Sequence, residues 1–341
     1  MSATKLIDRT EPVVVPRAHT TVTTKSRLPW FLRVPILVVL NSGIRSVLWT
    51  AAMSFLVPEL GRISRVPSDE DFWSLYSPAA RLAMNTATIG MNWYFDYDFY
   101  DVAALTTLTN APYAYLLATY FGISYLTVLA HVVIEVFAIS VPTYLLRSRS
   151  AAHRANVPLR NRFLLNSMQV QFSNALLAVG VYIVILWAGL KTNYLNLFLI
   201  NYFVIPTLES AHLETPVSLL WKILPVGVAA KEFLLNPSIA AQPLSGTATP
   251  TEVVFDPATA TLDETIKANI LPADKRKKTL FQQTVILNAF LFASTVQRCM
   301  TIDGTEIKGA AGYSALWVVA NTVLSIWYSW VGDTSADYEP L

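Results

Sequence analysis

The segment MNWYFDYDFYD, residues 91–101, sets Asp96, Asp98 and Asp101 among Trp93, Tyr94, Phe95, Tyr97, Phe99 and Tyr100. A carboxylic acid in an apolar pocket keeps its proton to higher pH and can donate it. Aromatic π-faces stabilise cations at close range. Together these groups suit protonation of an alkene or epoxide and sheltering of the resulting carbocation. The structural alternative is an interface belt, in which Tyr and Trp gather at the lipid–water boundary and the aspartates face water. On a helix, Asp98 and Asp101 share a face at i, i+3 while Asp96 points elsewhere. Asp101 is also placed to act as the N-cap of a helix that follows it.

Further ionisable groups lie outside this segment. Glu135 falls near the middle of the apolar run SYLTVLAHVVIEVFAISVPTYLLR, with His131 one turn earlier on the same face. An ionised side chain at membrane depth costs about 2.5–3.5 kcal/mol on insertion scales and therefore calls for a partner or a purpose. His131 and Arg45 are the candidate partners, in a structural pair or a functional one. The stretch ESAHLE contributes Glu209, His212 and Glu214.

The elements that must hold these residues are membrane helices. Of 341 residues, 53% are hydrophobic and 14% charged, against about 25% charged in soluble domains. A span needs about 20 mostly apolar residues. Residues 34–57, 102–122, 124–147, 168–190, 281–300 and 310–331 qualify, and 78–95 and 193–208 are weaker candidates. Residues 216–235 contain Pro225 and two lysines and read as re-entrant or interfacial. Basic clusters at Lys25, Arg27 and Arg33, at Arg147–Arg162 and at Lys275–Lys278 belong on the cytosolic side. The acidic loop 58–77 belongs on the other side. These assignments agree if 78–95 crosses. The expectation is an all-α polytopic transmembrane bundle of about eight crossings plus one re-entrant or interfacial segment. Residues 1–28 form a polar, disordered cytosolic tail, 29–335 the helical domain with a cytosolic loop at 236–279, and 336–341 a short tail. Both termini are cytosolic. In this topology residues 91–101 and 209–214 meet at one cytosolic border.

The single Cys299 excludes an internal disulfide and a thiolate metal cage. No N-x-[ST] sequon and no signal peptide are read, which favours an endomembrane, the endoplasmic reticulum above all. The net charge of +2 sits in short clusters between apolar runs and gives no reason to expect nucleic acid. There is no G-x-S-x-G, H-E-x-x-H or P-loop. The four histidines, His19, His131, His153 and His212, are too scattered for haem or a di-iron centre. Asn and Gln within the spans read as interhelical hydrogen-bond partners.

The basic tail leading into RLPWFLRVPILVV, the segment NWYFDYDFYD and HVVIE on a later span resemble the fungal integral-membrane terpene cyclases of meroterpenoid pathways, the group that includes the ascochlorin and macrophorin cyclases. The resemblance covers most of the chain. It implies cyclisation of a farnesyl-bearing aromatic or quinone, often as the terminal epoxide, with no metal and no other cofactor. The partners expected are the bilayer and a hydrophobic isoprenoid substrate, with the oligomeric state open. From the residues, Asp98 and Asp101 are the first candidates for the proton donor, and Glu135 and Glu209 are further donor or orienting acids. Trp93, Tyr97, Phe99 and Tyr100 would line the cation path, and His212 or His131 would take the final proton. Two other classes stay open. A non-enzymatic scaffold or transporter subunit needs only a structural Glu135 and an aromatic belt. Asn92-x-x-x-Asp96 followed by Asp98 and Asp101 also resembles the magnesium motif of intramembrane prenyltransferases. Against that, its second acidic cluster, Asp69-Glu70-Asp71, falls on the opposite side, and few Lys or Arg lie in the spans to hold phosphates.

Overall fold

The computed structural model describes residues 30–66, 74–154, 157, 159, 162–241 and 275–331. The tails and most of the 236–279 loop lie outside these residues, as does Asp69-Glu70-Asp71. The described chain is helical, with no named strand. The helices are α1 (Trp30–Leu60), α2 (Pro78–Tyr94), α3 (Phe99–Tyr120), α4 (Tyr125–Leu146), α5 (Arg162–Asn166), α6 (Met168–Lys191), α7 (Tyr194–Tyr202), α8 (Glu209–His212), α9 (Pro216–Ala230), α10 (Asn236–Ala240), α11 (Lys275–Cys299) and α12 (Ile307–Trp330). A π-helical turn, Lys231–Leu235, joins α9 to α10. Five of these helices, α1, α4, α6, α11 and α12, are long and apolar enough to cross a membrane. Their outward faces carry exposed apolar side chains, among them Val39, Leu129, Val184, Val285 and Val319, as a lipid-facing surface requires.

Local chemistry sets the helix starts. Ser77 caps α2 by accepting from the Ala80 amide, with Pro78 in the first turn, where its missing N–H costs nothing. Ser124 caps α4 through the Thr127 amide, and Gly122, at φ +64°, makes the tight reversal from α3. Thr215 and Ser218 form a capping box at α9.

The helix α3 is apolar on all sides and occupies the centre, buried against α4, α9 and α11. The bundle has two distinct ends. At one, the Ser124 amide donates to Glu59 at 2.9 Å, and the Arg65 amide donates to the Thr301 carbonyl at 2.8 Å. At the other, Arg147 donates to the carbonyls of Asn92, Trp93 and Tyr97, and Arg276 donates to those of Tyr328 and Val331. The Tyr97 hydroxyl ties this second end to α11 through Gln283 at 2.6 Å. The described basic residues of all three sequence clusters gather here.

Two segments differ from what the sequence led us to expect. Residues 193–208 were expected to cross, but α7 has nine residues, about 13–14 Å of helix, too short for a hydrocarbon core of about 30 Å. The supposedly re-entrant 216–235 instead continues helically to Ala240, with Ala230, Phe233 and Leu234 fully buried. Pro225 and the lysines obscured this helix. Pro225 is accommodated inside α9, and Lys231 is buried with Gln171 and Glu232 as hydrogen-bond partners.

A close helix contact centres on Gly227, where an added Cβ would meet Val179 Cγ2 at 2.3 Å and the Ala175 carbonyl oxygen at 2.9 Å. Gly227→Val is therefore expected to destabilise the protein by about 1–3 kcal/mol, since α6 and α9 must separate. Thermal unfolding in detergent checks this. Gly180→Ala, where nothing lies within 4 Å of the new carbon, is the neutral comparison.

Candidate functional site

The segment 91–101 turns sharply between α2 and α3. Asp96 takes a left-handed conformation at φ 58°, is exposed, and pairs with Arg147 at 3.0 Å. The next acid, Asp98, is fully buried and is the N-cap of α3, a role expected of Asp101. Its Oδ1 accepts from the amides of Tyr100 at 2.9 Å and Asp101 at 3.1 Å. Asp101 is the third residue of the helix and accepts from the Asp98 amide at 3.2 Å, completing a capping box.

The other oxygen of Asp98 reaches across the sequence. It accepts from the Ser150 amide at 2.8 Å and from His153 Nδ1 at 2.7 Å. His153 Nε2 lies 3.5 Å from Glu232 on the π-helical turn. Asp98, Asp101 and His153 thus form one cluster, their ligand-capable atoms all within 4.8 Å of one another. Sequence reading missed His153. It lies 55 residues from Asp98, and only the fold of the segment after α4 brings it back.

The electrostatics separate the two aspartates. Burial works against ionisation of Asp98, but the His153 hydrogen bond, the Ser150 amide and the His153 charge together hold its carboxyl well below the usual range. Burial would lower His153, yet its bonds to Asp98 and Glu232 raise it from 6.5 to about 9. Burial and then the charge of Asp98 push Asp101 up from 3.8 to about 7. At neutral pH Asp98 and His153 are an ion pair. Asp101 stands beside them with its carboxyl pushed up toward neutral pH and its Oδ1 buried with no hydrogen-bond partner.

A pH dependence follows. The folded pKa of His153 is raised, so its stabilisation is complete below about 6.5 and is lost as pH rises through about 9. The penalty for ionising Asp101 accumulates between 3.8 and about 7 and is constant above that. From pH 7 to 9 the melting temperature should therefore fall through His153, and His153→Gln should flatten this slope. Thermal scans across that range are the check.

The aromatic candidates divide. One face of Trp93 is covered by the Arg147 guanidinium, 4.0 Å from the ring centroid. Tyr97 is buried and packs on Phe95 and Phe233. Tyr100 lies 4.7 Å from the His153 ring and 4.0 Å from Phe99, so these two residues do border the cluster.

Glu209 and His212 do not join the site. Both are exposed on the short α8, close to the C-terminal end of α3, where Glu214 pairs with Lys222 beside Thr119. Asp98 lies at the opposite end of α3. The cause is α7: because it stops short, residues 209–214 stay at the end of the bundle where α6 finishes.

Glu135 and His131 belong to a separate, deeper cluster. Glu135 accepts from Arg45 at 2.9 Å, Arg298 at 3.2 Å and Arg81 at 3.3 Å. A carboxylate held by three guanidiniums is an acceptor, which does not suit the donor role among those expected of Glu135, donor, orienting acid or structural partner. His131 Nε2 lies 3.2 Å from Arg298, and its ring meets Trp49 and Tyr113 edge-on. Few Lys or Arg lie in the spans, but α1, α2 and α11 each bring an arginine to this one point.

An apolar cavity of about 530 Å³ opens between α3, α4 and α9, lined in part by Tyr115, Tyr125 and Trp221. Its polar edge is formed by Ser218 and Lys222, both bonded to the buried carboxylate of Glu214. Thr107 lines it as well. That residue is six positions beyond Asp101, about 9 Å along α3. No protein family, no curated protein and no solved structure matches the chain.

Proposed function

We propose that this chain is a membrane-embedded cyclase that starts ring closure of an isoprenoid-bearing substrate by proton transfer from Asp101. The observation that carries the reading is Asp101 itself: a buried carboxyl with one unpartnered oxygen, a pKa raised to about 7, and a neighbouring Asp98–His153 ion pair that fixes its position. A general acid is most effective with a pKa near the working pH. The apolar cavity between α3, α4 and α9 suits a farnesyl chain in size and lining, and its aromatic rings suit a migrating cation. In the reaction the carboxyl proton adds to the terminal alkene carbon or the epoxide oxygen. The next alkene's π pair forms the carbon–carbon bond, and the last cation loses a proton to solvent. Substrate and product are isomers, and Asp101 is reprotonated from water.

The membrane arrangement we infer has eight crossings: α1, α2, α3, α4, α6, the α9–α10 run, α11 and α12. The end carrying Arg147 and Arg276 faces the cytosol of an endomembrane, as the positive-inside rule requires.

A second reading has one observation in its favour, the close grouping of Asp98, Asp101 and His153, whose donor set of two carboxylates and an imidazole suits a divalent cation. His153 Nδ1 already donates to Asp98, so a metal would have to displace that bond.

The deciding experiment feeds purified protein in nanodiscs with a farnesylated aromatic and its terminal epoxide, with and without EDTA. Isomer formation unchanged by EDTA is expected. Turnover abolished by EDTA and restored by a divalent cation would establish the metal reading instead.

A further inference from the structure

We infer that the cavity between α1, α2, α3, α4 and α11 is a binding site for a phosphoryl dianion, held by Arg45, Arg81 and Arg298. Three guanidiniums face one carboxylate, Glu135, so the cluster has three positive charges against one negative and an excess of +2. His131 does not alter that sum. Its Nε2 lies against a guanidinium N–H, which can only donate, so this nitrogen accepts and the ring is neutral. Among the described residues no second carboxylate pairs with these arginines.

An excess of two charges at membrane depth is costly without a counter-anion. Two buried donors also lack acceptors, Arg45 Nε on the cavity lining and His131 Nδ1 beside it. The cavity measures about 50 Å³. A water needs roughly 10–15 Å³ on the same measure, so there is room for a group of a few oxygen atoms. The planar fork of arginine matches phosphoryl oxygens two at a time. A dianion neutralises the excess, whereas a carboxylate or chloride leaves one charge over. Entry is past Arg81, whose side chain is 42% exposed against 19% for Arg45 and 15% for Arg298. The phosphoryl group could belong to a lipid headgroup or to free phosphate, and the two sources share this chemistry.

The test reads binding and does not depend on turnover, so it stands or falls separately from the cyclase reading. Full-length protein in neutral detergent is titrated with inorganic phosphate at constant ionic strength, with chloride as the control. In parallel, nanodiscs of phosphatidylcholine are compared with nanodiscs containing phosphatidic acid, a phosphate monoester. A melting temperature raised by phosphate assigns a soluble ligand. A rise only with phosphatidic acid assigns a lipid. In either case Arg81→Gln should weaken the response by about tenfold or more while the protein stays folded, because Arg81 is the most exposed of the three. No shift with either source, a shift equalled by chloride, or a full response in Arg81→Gln overturns the site.

Discussion

Glu135→Gln should cost about 3–5 kcal/mol of stability, the usual consequence of removing one partner from a buried ion pair. The glutamate side chain is 3% exposed and bonds Arg45 and Arg298 through one oxygen and Arg81 through the other. Glutamine preserves the shape and can still accept on one side. It leaves three guanidiniums with no anion among four helices. Lower yield of monodisperse protein and a lower melting temperature would register the loss. Glu135→Asp, which keeps the charge on a shorter stem, should cost less. If Glu135→Gln melts with the wild type, the carboxylate is not what holds α1, α2, α4 and α11 together here.

Asp101→Asn should lower turnover by about 10²–10⁴-fold, the range that general acid catalysis supplies. Asparagine still offers a carbonyl oxygen to the Asp98 amide, so the capping box can persist and the helix start should survive. The proton is what disappears. His153→Gln is the complementary variant. His153 touches Asp98 rather than Asp101 directly in hydrogen bonding, so it is a positioning residue whose loss should shift the pH profile of turnover. Removing the cation beside Asp98 also removes a charge that eases ionisation of Asp101, so the fall of turnover at high pH, where Asp101 ionises, should move to higher pH. An Asp101→Asn protein with unchanged turnover and a lowered melting temperature would leave Asp101 only its capping role.

Much of the scaffold was legible in the sequence because apolar length is a one-dimensional signal. The five helices long and apolar enough to span stand near their expected limits, and the described basic residues of the three clusters gather at one end as the charge pattern implied. Arg45 was correctly named as a partner of Glu135. Arg81 and Arg298 were not. Each lies near a helix end, and their convergence depends on the rotation of α2 and α11 about their own axes, which composition does not encode. His153 escaped for the same reason. The departures at 193–208 and 216–240 have a different cause. Hydropathy ranks a short apolar helix such as α7 beside a longer one, and it penalises Pro225, Lys222 and Lys231, although Pro225 sits inside α9 and both lysines have hydrogen-bond partners. That one error placed Glu209 and His212 at the wrong end of the bundle.

Mass spectrometry of the product made by purified protein in EDTA tests the central claim most directly. Wild-type protein should convert the farnesylated aromatic or its epoxide into an isomer of unchanged mass with at least one carbocycle more, and Asp101→Asn should form at least about a hundredfold less. A folded, monodisperse wild-type preparation that consumes neither substrate, or an Asp101→Asn protein that matches it, would contradict proton-initiated cyclisation at this site.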